Sequence, residues 1–315
     1  MELNNILIIR LSSLGNVLHA LMINQTIRDH FPNAEIDFVV RDQFAPIVEM
    51  CNAVDNLILF ERKGGLFGFN RLLKEIRKKR YDAVLDIQAQ FRTGLMVATA
   101  RSPLKLGRKD AREGSGFFCN TIIELPTNPN PHQVDTFLQF LPPLGKPAKL
   151  GSPVSFESPD LNSIEPELVS NPPIVLLPHS RGKEKEWPHF RQLTHEILKQ
   201  FSGQSVVWDS HIPIPSKELD SEANFFNTSG KTSIPEMISL LKSAKAVVAN
   251  DTGPMHIAAA LAKPTIALFG PTCFEKYGAY PLHNPRNVNL QSSQSDWCDI
   301  PTNRVLNEIQ KLLEL

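Results

Sequence analysis

Short apolar runs rich in β-branched residues alternate along this chain with amphipathic segments. A parallel strand covered by helices on both faces is apolar without interruption, so the pattern predicts an α/β fold with parallel sheets. The strands predicted in the first half are residues 6–9, 36–40, 57–60 and 83–87. The helices predicted between them are residues 17–30 and 69–80.

The second of these helices is amphipathic, with apolar positions three and four residues apart. Its opposite face is strongly basic, which is the ordinary composition of a solvated helix surface. The apolar positions are Phe69, Leu72, Leu73 and Ile76, and the basic positions are Lys74, Arg77, Lys78 and Lys79.

Repeated Pro, Gly and Ser residues mark the stretch between residues 142 and 173, after which the alternation restarts. Proline near the first turn signals a helix start at Pro188, Pro235 and Pro254. The strands predicted in the second half are residues 174–177, 205–208, 246–249 and 265–269, and the helices are residues 188–201, 235–243 and 254–262.

Two doubly wound, Rossmann-like domains are therefore predicted, residues 1–150 and 173–315, joined by a connection at residues 151–172. The last segment, residues 302–315, begins at a capping threonine and carries an apolar stripe. It is predicted to be a helix that could pack on its own domain or back on the first. In two such domains that face each other, the carboxyl ends of the strands border a shared cleft, where ligands are expected.

Charge and cysteine content narrow the class of protein. Lys plus Arg equal Asp plus Glu at 33 each, so no overall field favours nucleic acid or an anionic membrane. The four cysteines show no C-x-x-C pairing, so neither a zinc cluster nor a disulfide framework is indicated, and a reducing cytoplasm fits. No apolar run approaches membrane-spanning length. We expect a monomer whose contact with a membrane would be peripheral.

The most informative motif is NDTGPMH, residues 250–256, which joins an apolar run to a small-residue segment. A strand, a tight turn and a helix start present free backbone N–H groups to an anion. Asp251 and Thr252 are turn or cap formers, and Gly253 lets a ligand approach the main chain. The motif predicts a phosphate site. The alternative is an ordinary capped turn, which α/β proteins contain in several copies.

Two more loops follow predicted strands. RLSSLGN, residues 10–16, contains neither G-x-G-x-x-G nor a P-loop lysine, so readings as a nicotinamide-dinucleotide or ATP-cleaving enzyme lack their usual support. PHSRGKEKEWP, residues 178–188, carries Arg181, Lys183 and Lys185. Fixed cations and backbone donors together can stabilise a diphosphate leaving group without a metal ion. The alternative is a solvated loop whose glutamates cancel two of the charges.

Two histidines lie near these loops, His256 one turn after Gly253 and His19 one turn after Asn16. A histidine on a helix face is more often structural than catalytic. The sequence contains no H-E-x-x-H or G-x-S-x-G motif, so zinc and serine-triad hydrolysis lack support. We therefore expect neither a metal ion nor another cofactor.

Over most of its length the chain resembles the bacterial heptosyltransferases of glycosyltransferase family 9. The resemblance implies the GT-B architecture, with an acceptor domain, a nucleotide-sugar donor domain and a central cleft. It also implies inverting, metal-independent transfer of a heptose from ADP-heptose to a lipid-linked acceptor in lipopolysaccharide biosynthesis, at the cytoplasmic face of a Gram-negative inner membrane. The matching segments are RLSSLGNVLHAL, YDAVLDIQAQFRTGL, AREGSGFFCN, SRGKEKEWP and, most specifically, NDTGPMHIAAALAKPTIALFGPT.

The resemblance also assigns residues by position. Lys185 would contact the donor phosphates, the Asp251 loop would bind the diphosphate, and Glu218 is a candidate contact to the donor ribose. On the acceptor side, basic residues would meet the phosphates of a lipopolysaccharide core. The donor-side residues are Ser180, Arg181, Lys185, Glu218, Asp251, Thr252, Gly253, Pro254 and His256. The acceptor-side residues are Ser12, Ser13, Gly15, Arg62, Lys63 and Arg112.

One departure from the family pattern affects catalysis. The family's first-loop motif ordinarily reads S-x-G-D, and its Asp is the candidate general base, but here the position is Asn16. An amide cannot accept a proton near neutral pH. Asn16 could be an engineered substitution, or His19 or Asp42 could serve as base, or the protein could bind a sugar nucleotide without turning it over. Smaller departures are Ala89 and Asp209, where the family has Gly.

The sequence thus predicts a heptosyltransferase-like glycosyltransferase with Asn16 and Lys185 as its catalytic positions. The alternatives are a binding protein for sugar nucleotides or glycans with impaired catalysis, and a nucleotide-sugar epimerase or hydrolase, which shares the GT-B architecture.

Overall fold

The computed structural model describes residues 2–159, 167–293 and 297–314. The chain forms two compact units, Met1–Glu157 and Ser158–Leu315. Their division falls inside the predicted connection, of which residues 160–166 lie outside the described residues.

Within the described residues, the first unit is a parallel sheet with helices between its strands. Its strands are β1 (Asn5–Ile9), β2 (Glu35–Arg41), β3 (Asn56–Phe60), β4 (Ala83–Asp86), β5 (Leu104–Arg108) and β6 (Thr121–Ile123). Its helices are α1 (Leu14–His30), α2 (Ala45–Glu49), α3 (Gly65–Lys78), α4 (Phe91–Thr99) and α5 (Gln133–Leu138).

The second unit repeats this plan. Its strands are β7 (Ile174–Leu177), β8 (Val206–Trp208), β9 (Phe225–Asn227), β10 (Ala246–Asn250), β11 (Thr265–Phe269) and β12 (Asn287–Gln291). Its described helices are α6 (Glu167–Ser170), α7 (Phe190–Gln200), α8 (Ile234–Ser243), α9 (Gly253–Ala260), α10 (Phe274–Tyr277) and α11 (Thr302–Leu313).

Both sheets have the strand order of doubly wound nucleotide-binding folds. The first is β3-β2-β1-β4-β5-β6, and the second is β12-β11-β10-β7-β8-β9, which is the same order read from the other edge. The order reverses direction between β1 and β4 and between β7 and β10. Such reversal points are where ligands bind in these folds, at the carboxyl ends of the strands.

The central strands are buried on both faces, which explains their uninterrupted apolar sequences. In the first unit, Leu72 of α3 and Met96 of α4 share one core cluster with Ile9 and Val39 of the sheet. The cluster shows that α3 and α4 cover the same face of this sheet. Both helices begin at its carboxyl edge.

Residues 151–156, predicted as part of the connection, lie against α1. The backbone N–H of Gly151 donates to Thr26 Oγ1 at 3.0 Å, and that of Ser152 donates to Asp29 Oδ2 at 2.6 Å. Phe156 forms an isolated bridge with Cys51. The first unit thus extends to Glu157 rather than to residue 150.

The last helix packs within its own unit, against α7, which is one of the two placements that the sequence allowed. The stripe of α11 predicted from the sequence, including Val305 and Ile309, joins a core cluster with Leu193 of α7. The indole N–H of Trp187 donates to Ile300 O at 2.8 Å, fixing the chain just before the helix.

Most predicted elements agree with the structure within two residues at each end, but two helices begin earlier than predicted. α1 begins at Leu14 and α3 at Gly65, because their first turns contain glycine and side chains that are not fully buried, which the apolar periodicity does not mark. The strands β5, β6, β9 and β12 were not predicted. Three of them are edge strands, and Lys105 and Gly107 interrupt β5.

Among the described residues, no helix combines the length and apolar character needed to cross a membrane.

Candidate functional site

The loops after β7 and β10 lie side by side because these strands pair in parallel. Asn250, buried at the end of β10, bridges them: its Oδ1 accepts from the Trp187 N–H at 3.0 Å, and its Nδ2 donates to Pro178 O at 2.7 Å. Ser180 is also buried, and its hydroxyl donates to Asp251 O at 2.7 Å. The two loops thus form one hydrogen-bonded edge.

Lys185 and Asp251 form the central ion pair of this edge. Lys185 Nζ lies 2.7 Å from Asp251 Oδ2, which also accepts from Thr272 Oγ1 at 2.8 Å. The side chains are 27% and 12% exposed, so solvent screens this pair less than an ordinary surface pair. An ammonium group has three donors, and two remain for another acceptor after the contact with Asp251. A cation is therefore held beside the start of α9.

The start of α9 adds backbone donors to this cation. Thr252 is its cap residue, with extended backbone, and Gly253 and Pro254 are the first helical residues. The first-turn N–H groups of a helix have no acceptor within the helix, and the helix dipole favours negative charge there. Proline fits this turn because its missing N–H is not needed. The cation and the helix start together form a site suited to a phosphate group.

His256 lies buried in the same helix and is neutral near pH 7. Burial lowers the pKa of its imidazole to about 4, an effect that the nearby Asp251 carboxylate opposes and the Lys185 ammonium reinforces. The positive charge of the site therefore belongs to Lys185, and His256 does not add a second cation.

Two of the predicted donor-side residues are exposed. Arg181 is exposed in the loop after β7. Glu218, the predicted ribose contact, is exposed and forms its ion pair with Arg191 Nη1 at 2.6 Å, rather than with the cluster around Lys185. The structure thus brings together Ser180, Lys185 and Asp251 but does not join Glu218 to them.

Sequence reasoning missed several residues that shape this edge. Thr272 contacts the Asp251 carboxylate, and Asn250 joins the two loops. Glu186, read from the sequence as cancelling a charge, accepts from the Ser180 N–H at 3.1 Å and lies 2.7 Å from His179 Nδ1. Asn250 and Thr272 both lie within the NDTGPMH-to-FGPT segment, so its resemblance to the family was the available signal.

Asp209, where the family often has Gly, is buried at the end of β8. Its Oδ1 accepts from Thr228 Oγ1 at 3.1 Å and from Thr232 Oγ1 at 2.7 Å. Burial raises the pKa of this carboxyl group. The two hydroxyl donors explain how this unit accommodates an acidic residue at that position.

On the acceptor side, Asn16 lies in the first turn of α1, at the carboxyl edge of the first sheet. Its Nδ2 donates to Oγ of Ser13, the exposed cap residue of α1, at 3.3 Å, and Gly15 lies between them. The Ser12 N–H donates to Gln88 Oε1 at 3.4 Å, which ties this loop to the one after β4.

A buried group of charged residues supports these two loops. Arg10 Nη1 donates to Ile87 O at 2.9 Å, and Arg108 Nη1 donates to the same carbonyl at 3.3 Å. Burial lowers the pKa of Arg10 to about 9 and raises the pKa of Asp86 to about 6. Asp86 accepts from the Ala89 N–H at 2.9 Å. Apart from the motifs that contain some of these residues, the sequence did not indicate that these charged side chains lie together.

Ala89, the other departure from the family, has φ of 57°, in the left-handed region where glycine is favoured. Its carbonyl accepts from the Arg112 N–H at 3.0 Å. The family's glycine at this position therefore has a conformational reason, and the chain keeps the conformation with alanine.

The predicted acceptor-side cations lie on loops that follow strands of the first sheet. Arg62 and Lys63 form an exposed 3₁₀ turn after β3, and Arg112 is exposed after β5. Within the described residues, none of the three forms an ion pair. Their charges are therefore available to an anionic ligand.

The two alternative bases differ in accessibility. His19 is 2% exposed, and its ring packs against that of His132 with centroids 5.0 Å apart. Asp42 follows β2, the strand next to β1, and its side chain is 45% exposed. Of the two, only Asp42 is open to an incoming acceptor.

In the part of the chain that the structure describes, no group of three or more His, Cys, Asp and Glu side chains could hold a metal ion.

Comparison with known proteins identifies the family. The model of glycosyltransferase family 9 (heptosyltransferase) matches residues 69–299. Lipopolysaccharide core heptosyltransferase OpsX of Haemophilus influenzae is 27% identical over 290 residues, covering 88% of this chain and 79% of that protein. Lipopolysaccharide heptosyltransferase 1 of Salmonella typhimurium is 28% identical over 293 residues, covering 87% and 91%.

Solved structures show the same fold. The E. coli heptosyltransferase WaaC with ADP matches with a TM-score of 0.77 over 98% of this chain and 99% of that chain, at 24% identity. The fold is GT-B, with two Rossmann-like domains.

Proposed function

Because the chain belongs to glycosyltransferase family 9 and is a glycosyltransferase, we propose that it moves a heptose from ADP-heptose to a lipopolysaccharide inner-core acceptor. The relatives supply the sugar and acceptor of this proposal, since they are heptosyltransferases of lipopolysaccharide and a solved neighbour carries an ADP-heptose analogue. The observation that supports donor binding is the position of the Lys185 ammonium group, which lies 2.7 Å from Asp251 beside the start of α9. The proposal includes a monomer that works at the cytoplasmic face of a Gram-negative inner membrane.

In the proposed reaction, an acceptor hydroxyl oxygen attacks the anomeric carbon as the bond from that carbon to the diphosphate breaks. ADP leaves with the bonding electron pair, and the configuration inverts. Negative charge grows on the diphosphate as it departs. Lys185 and the first-turn N–H groups of α9 would stabilise this charge, so the proposed mechanism uses no metal ion.

The acceptor hydroxyl must also lose its proton. Asn16 can orient the hydroxyl but cannot accept the proton. Asp42 is the candidate base in this proposal, because its carboxylate is exposed beside the end of β1, whereas His19 is buried. The proton would pass from the hydroxyl to the carboxylate, directly or through one water.

The test is incubation with ADP-heptose and a core acceptor that lacks the added heptose, with ADP and product measured together. We expect ADP and glycosylated acceptor in equal amounts, at a rate that a metal chelator does not change. A strict requirement for an added metal ion would contradict the mechanism. ADP released without glycosylated product would instead indicate a hydrolase.

The second candidate function is a sugar-nucleotide binding protein with impaired catalysis, and Asn16 is the observation that favours it. Tight binding of ADP-heptose without any product in the same experiment would support this alternative. Because both candidate functions predict donor binding, only the formation of glycosylated acceptor distinguishes them.

Asn16→Asp is predicted to leave turnover close to that of the wild type, because Asp42 already serves as the base in this proposal. A rise of about 100- to 10,000-fold would instead show that the wild type lacks general-base assistance. The new carboxylate is compatible with the fold, since it would lie in the first turn of α1, where negative charge stabilises by about 0.3–1 kcal/mol, and the Ser13 hydroxyl can donate to it. The measurement is kcat for N16D beside the wild type. Asp42→Asn is the companion variant.

If Asp42 is the base, D42N loses about 100-fold or more in kcat in the wild-type background. The same substitution has little effect once Asp is present at position 16. A D42N variant with wild-type kcat would exclude Asp42 as the base.

A further inference from the structure

Three apolar side chains of the first unit protrude far more than other large apolar side chains. Leu66 is 81% exposed, Phe67 92% and Phe117 93%, whereas the remaining exposed large apolar residues in the described ranges are 37–47% exposed. Single exposed apolar residues are normal on proteins, but a group of nearly bare Phe and Leu side chains marks an interaction surface.

The topology places the elements that carry these three side chains on one face of the first sheet, a region that we call the corner. α3, α4 and the 3₁₀ turn Ser115–Phe118 connect β3, β4, β5 and β6 in one direction across the sheet. Right-handed crossovers in one direction lie on one face of a sheet. Phe118 accordingly packs with α3 and α4 in one core cluster, and its ring lies 5.9 Å from that of Phe91 at the start of α4.

Positive charge surrounds this corner, although the chain as a whole is neutral. Residues 61–78 contain six Lys or Arg and two Glu. Two of the cations are paired with glutamates, but Lys74 and Arg77 are exposed and form no ion pair among the described residues. At helical spacing, Lys74 follows Leu66 and Phe67 by two turns, so these residues share the outer side of α3.

We propose that this corner, formed by Leu66, Phe67, Lys74, Arg77 and Phe117, docks onto the surface of an anionic lipid bilayer. Phenyl and leucyl side chains insert at the boundary between headgroups and acyl chains, while Lys and Arg contact lipid phosphates. The corner offers both along one side of one helix and its neighbouring loop.

The charge of the corner favours an anionic bilayer over another protein as its binding partner. A second copy of this chain would bring two basic helices face to face, and like charges repel across such a symmetric interface. Protein interfaces are also depleted of charge at their centre, whereas this corner mixes bare apolar tips with unpaired cations. An anionic bilayer complements both features.

The inference deepens the membrane location included in the proposed function and rests on it, but it does not depend on the sugar or nucleotide used. It places the predicted acceptor-side residues Arg62, Lys63 and Arg112 next to the lipid surface, where a lipid-linked acceptor would reside. The two proposals can fail separately because the docking residues are different from those assigned to acceptor binding.

The test is cosedimentation of the full chain with phosphatidylcholine vesicles, with and without phosphatidylglycerol. We expect binding only to the anionic vesicles, and weaker binding when salt is raised from about 0.1 M to about 0.5 M. L66S/F67S is expected to weaken binding by about tenfold or more. F117S tests the second apolar element and should weaken binding in the same direction.

K74Q/R77Q tests the cations, each of which contributes about fivefold near an anionic surface. We therefore expect a loss of about 25-fold and a weaker dependence of binding on salt. The matched controls lie elsewhere on the molecule: I212S/Y277S removes two exposed apolar side chains, and K149Q/K199Q removes two exposed lysines. Both controls should bind like the wild type.

Equal loss in the corner and control variants, or no binding of the wild type to anionic vesicles, would overturn the inference. So would sedimentation showing a dimer that L66S/F67S dissociates, because the corner would then join two copies of the chain. A second assay separates this inference from the proposed function. It measures the rate of heptose transfer to a core oligosaccharide that has no acyl chains. L66S/F67S and K74Q/R77Q should keep wild-type rates there, and a loss would assign the corner to acceptor binding instead.

Discussion

Asp251 places a carboxylate beside a predicted phosphate site, where negative charge would repel the ligand. Its Oδ2 is occupied by Lys185 Nζ at 2.7 Å and by the Thr272 hydroxyl at 2.8 Å. The carboxylate is thereby neutralised, and it holds the flexible lysine side chain in one place. At the residue scale, Asp251 acts on the ligand through the cation it positions.

Lys185→Gln should therefore weaken ADP binding more than the loss of one contact would. A charge-assisted hydrogen bond contributes about 1.5–3 kcal/mol, and the Asp251 charge would be left unopposed. We expect the Kd for ADP to rise about 10- to 100-fold or more, measured by calorimetric titration. Lys199→Gln, an exposed lysine at the end of α7, is the control. An unchanged Kd for K185Q would show that the phosphates of ADP do not bind at this edge.

His256 makes stability depend on pH in a definite direction. Its folded-state pKa is about 4, below the ordinary value of 6.5, so the unfolded chain binds more protons between these values. The contribution of His256 to the free energy of unfolding is therefore fully present above about pH 6.5, and it is lost as the pH falls toward about 4.

His256→Gln should remove that dependence. The difference in unfolding free energy between wild type and H256Q is expected to shrink by about 2 kcal/mol from pH 7 to pH 5. Denaturant titrations at the two pH values measure it. A difference that stays constant would show that the imidazole titrates normally in the folded protein.

At the scale of elements, α4 and the turn Ser115–Phe118 approach closely because Gly94 has no side chain. A Cβ at this position would lie 2.4 Å from Phe118 Cδ2 and 3.1 Å from Ser115 Cα. The same turn carries Phe117 to the protruding corner. The packing of α4 therefore sets where an exposed aromatic side chain is presented.

Gly94→Ala should destabilise the first unit by about 1–3 kcal/mol, because overpacking outweighs the gain of about 1 kcal/mol in helix propensity. Gly68→Ala in α3 is the matched control, since its Cβ would meet only Glu61 O at 3.8 Å. We expect G68A to be stabilising by about 0.5–1 kcal/mol in denaturant unfolding. A stable G94A would show that the turn moves aside freely.

At the scale of the whole molecule, two units repeat one strand order, and in each unit the loops after the strands at the reversal point include predicted site residues. In the first unit these strands are β1 and β4, and in the second they are β7 and β10. One topological rule thus explains why Asn16 and Lys185, far apart in sequence, occupy comparable positions in their units.

The strands that the sequence predicted are those with uninterrupted apolar runs, because a strand that is buried on both faces is apolar at successive positions. The strands that were missed lie mostly at sheet edges, where polar residues are tolerated and three residues suffice, as in β6 and β9. Helix starts were missed where the first turn is exposed, as at Gly65. Local periodicity reports burial, and these segments are only partly buried.

For the site, the sequence by itself indicated the loops in which chemistry is predicted: a glycine-containing turn after an apolar run, a cation-rich loop after another, and the loop that contains Asn16. These are local signals, since turns, caps and charges are read within a few residues. Only the tertiary structure decided the pairings, such as Lys185 with Asp251, Asn250 between two loops, and Glu218 with Arg191.

The tertiary structure likewise decided what is exposed. His19 and Asp42 are equivalent as candidate bases in the sequence, yet one is buried and the other is open to solvent. Leu66 and Phe67 look like ordinary apolar residues at the edge of a helix, yet they protrude into solvent. Pairing and exposure depend on contacts between residues distant along the chain, and those contacts exist only once the sheets have formed.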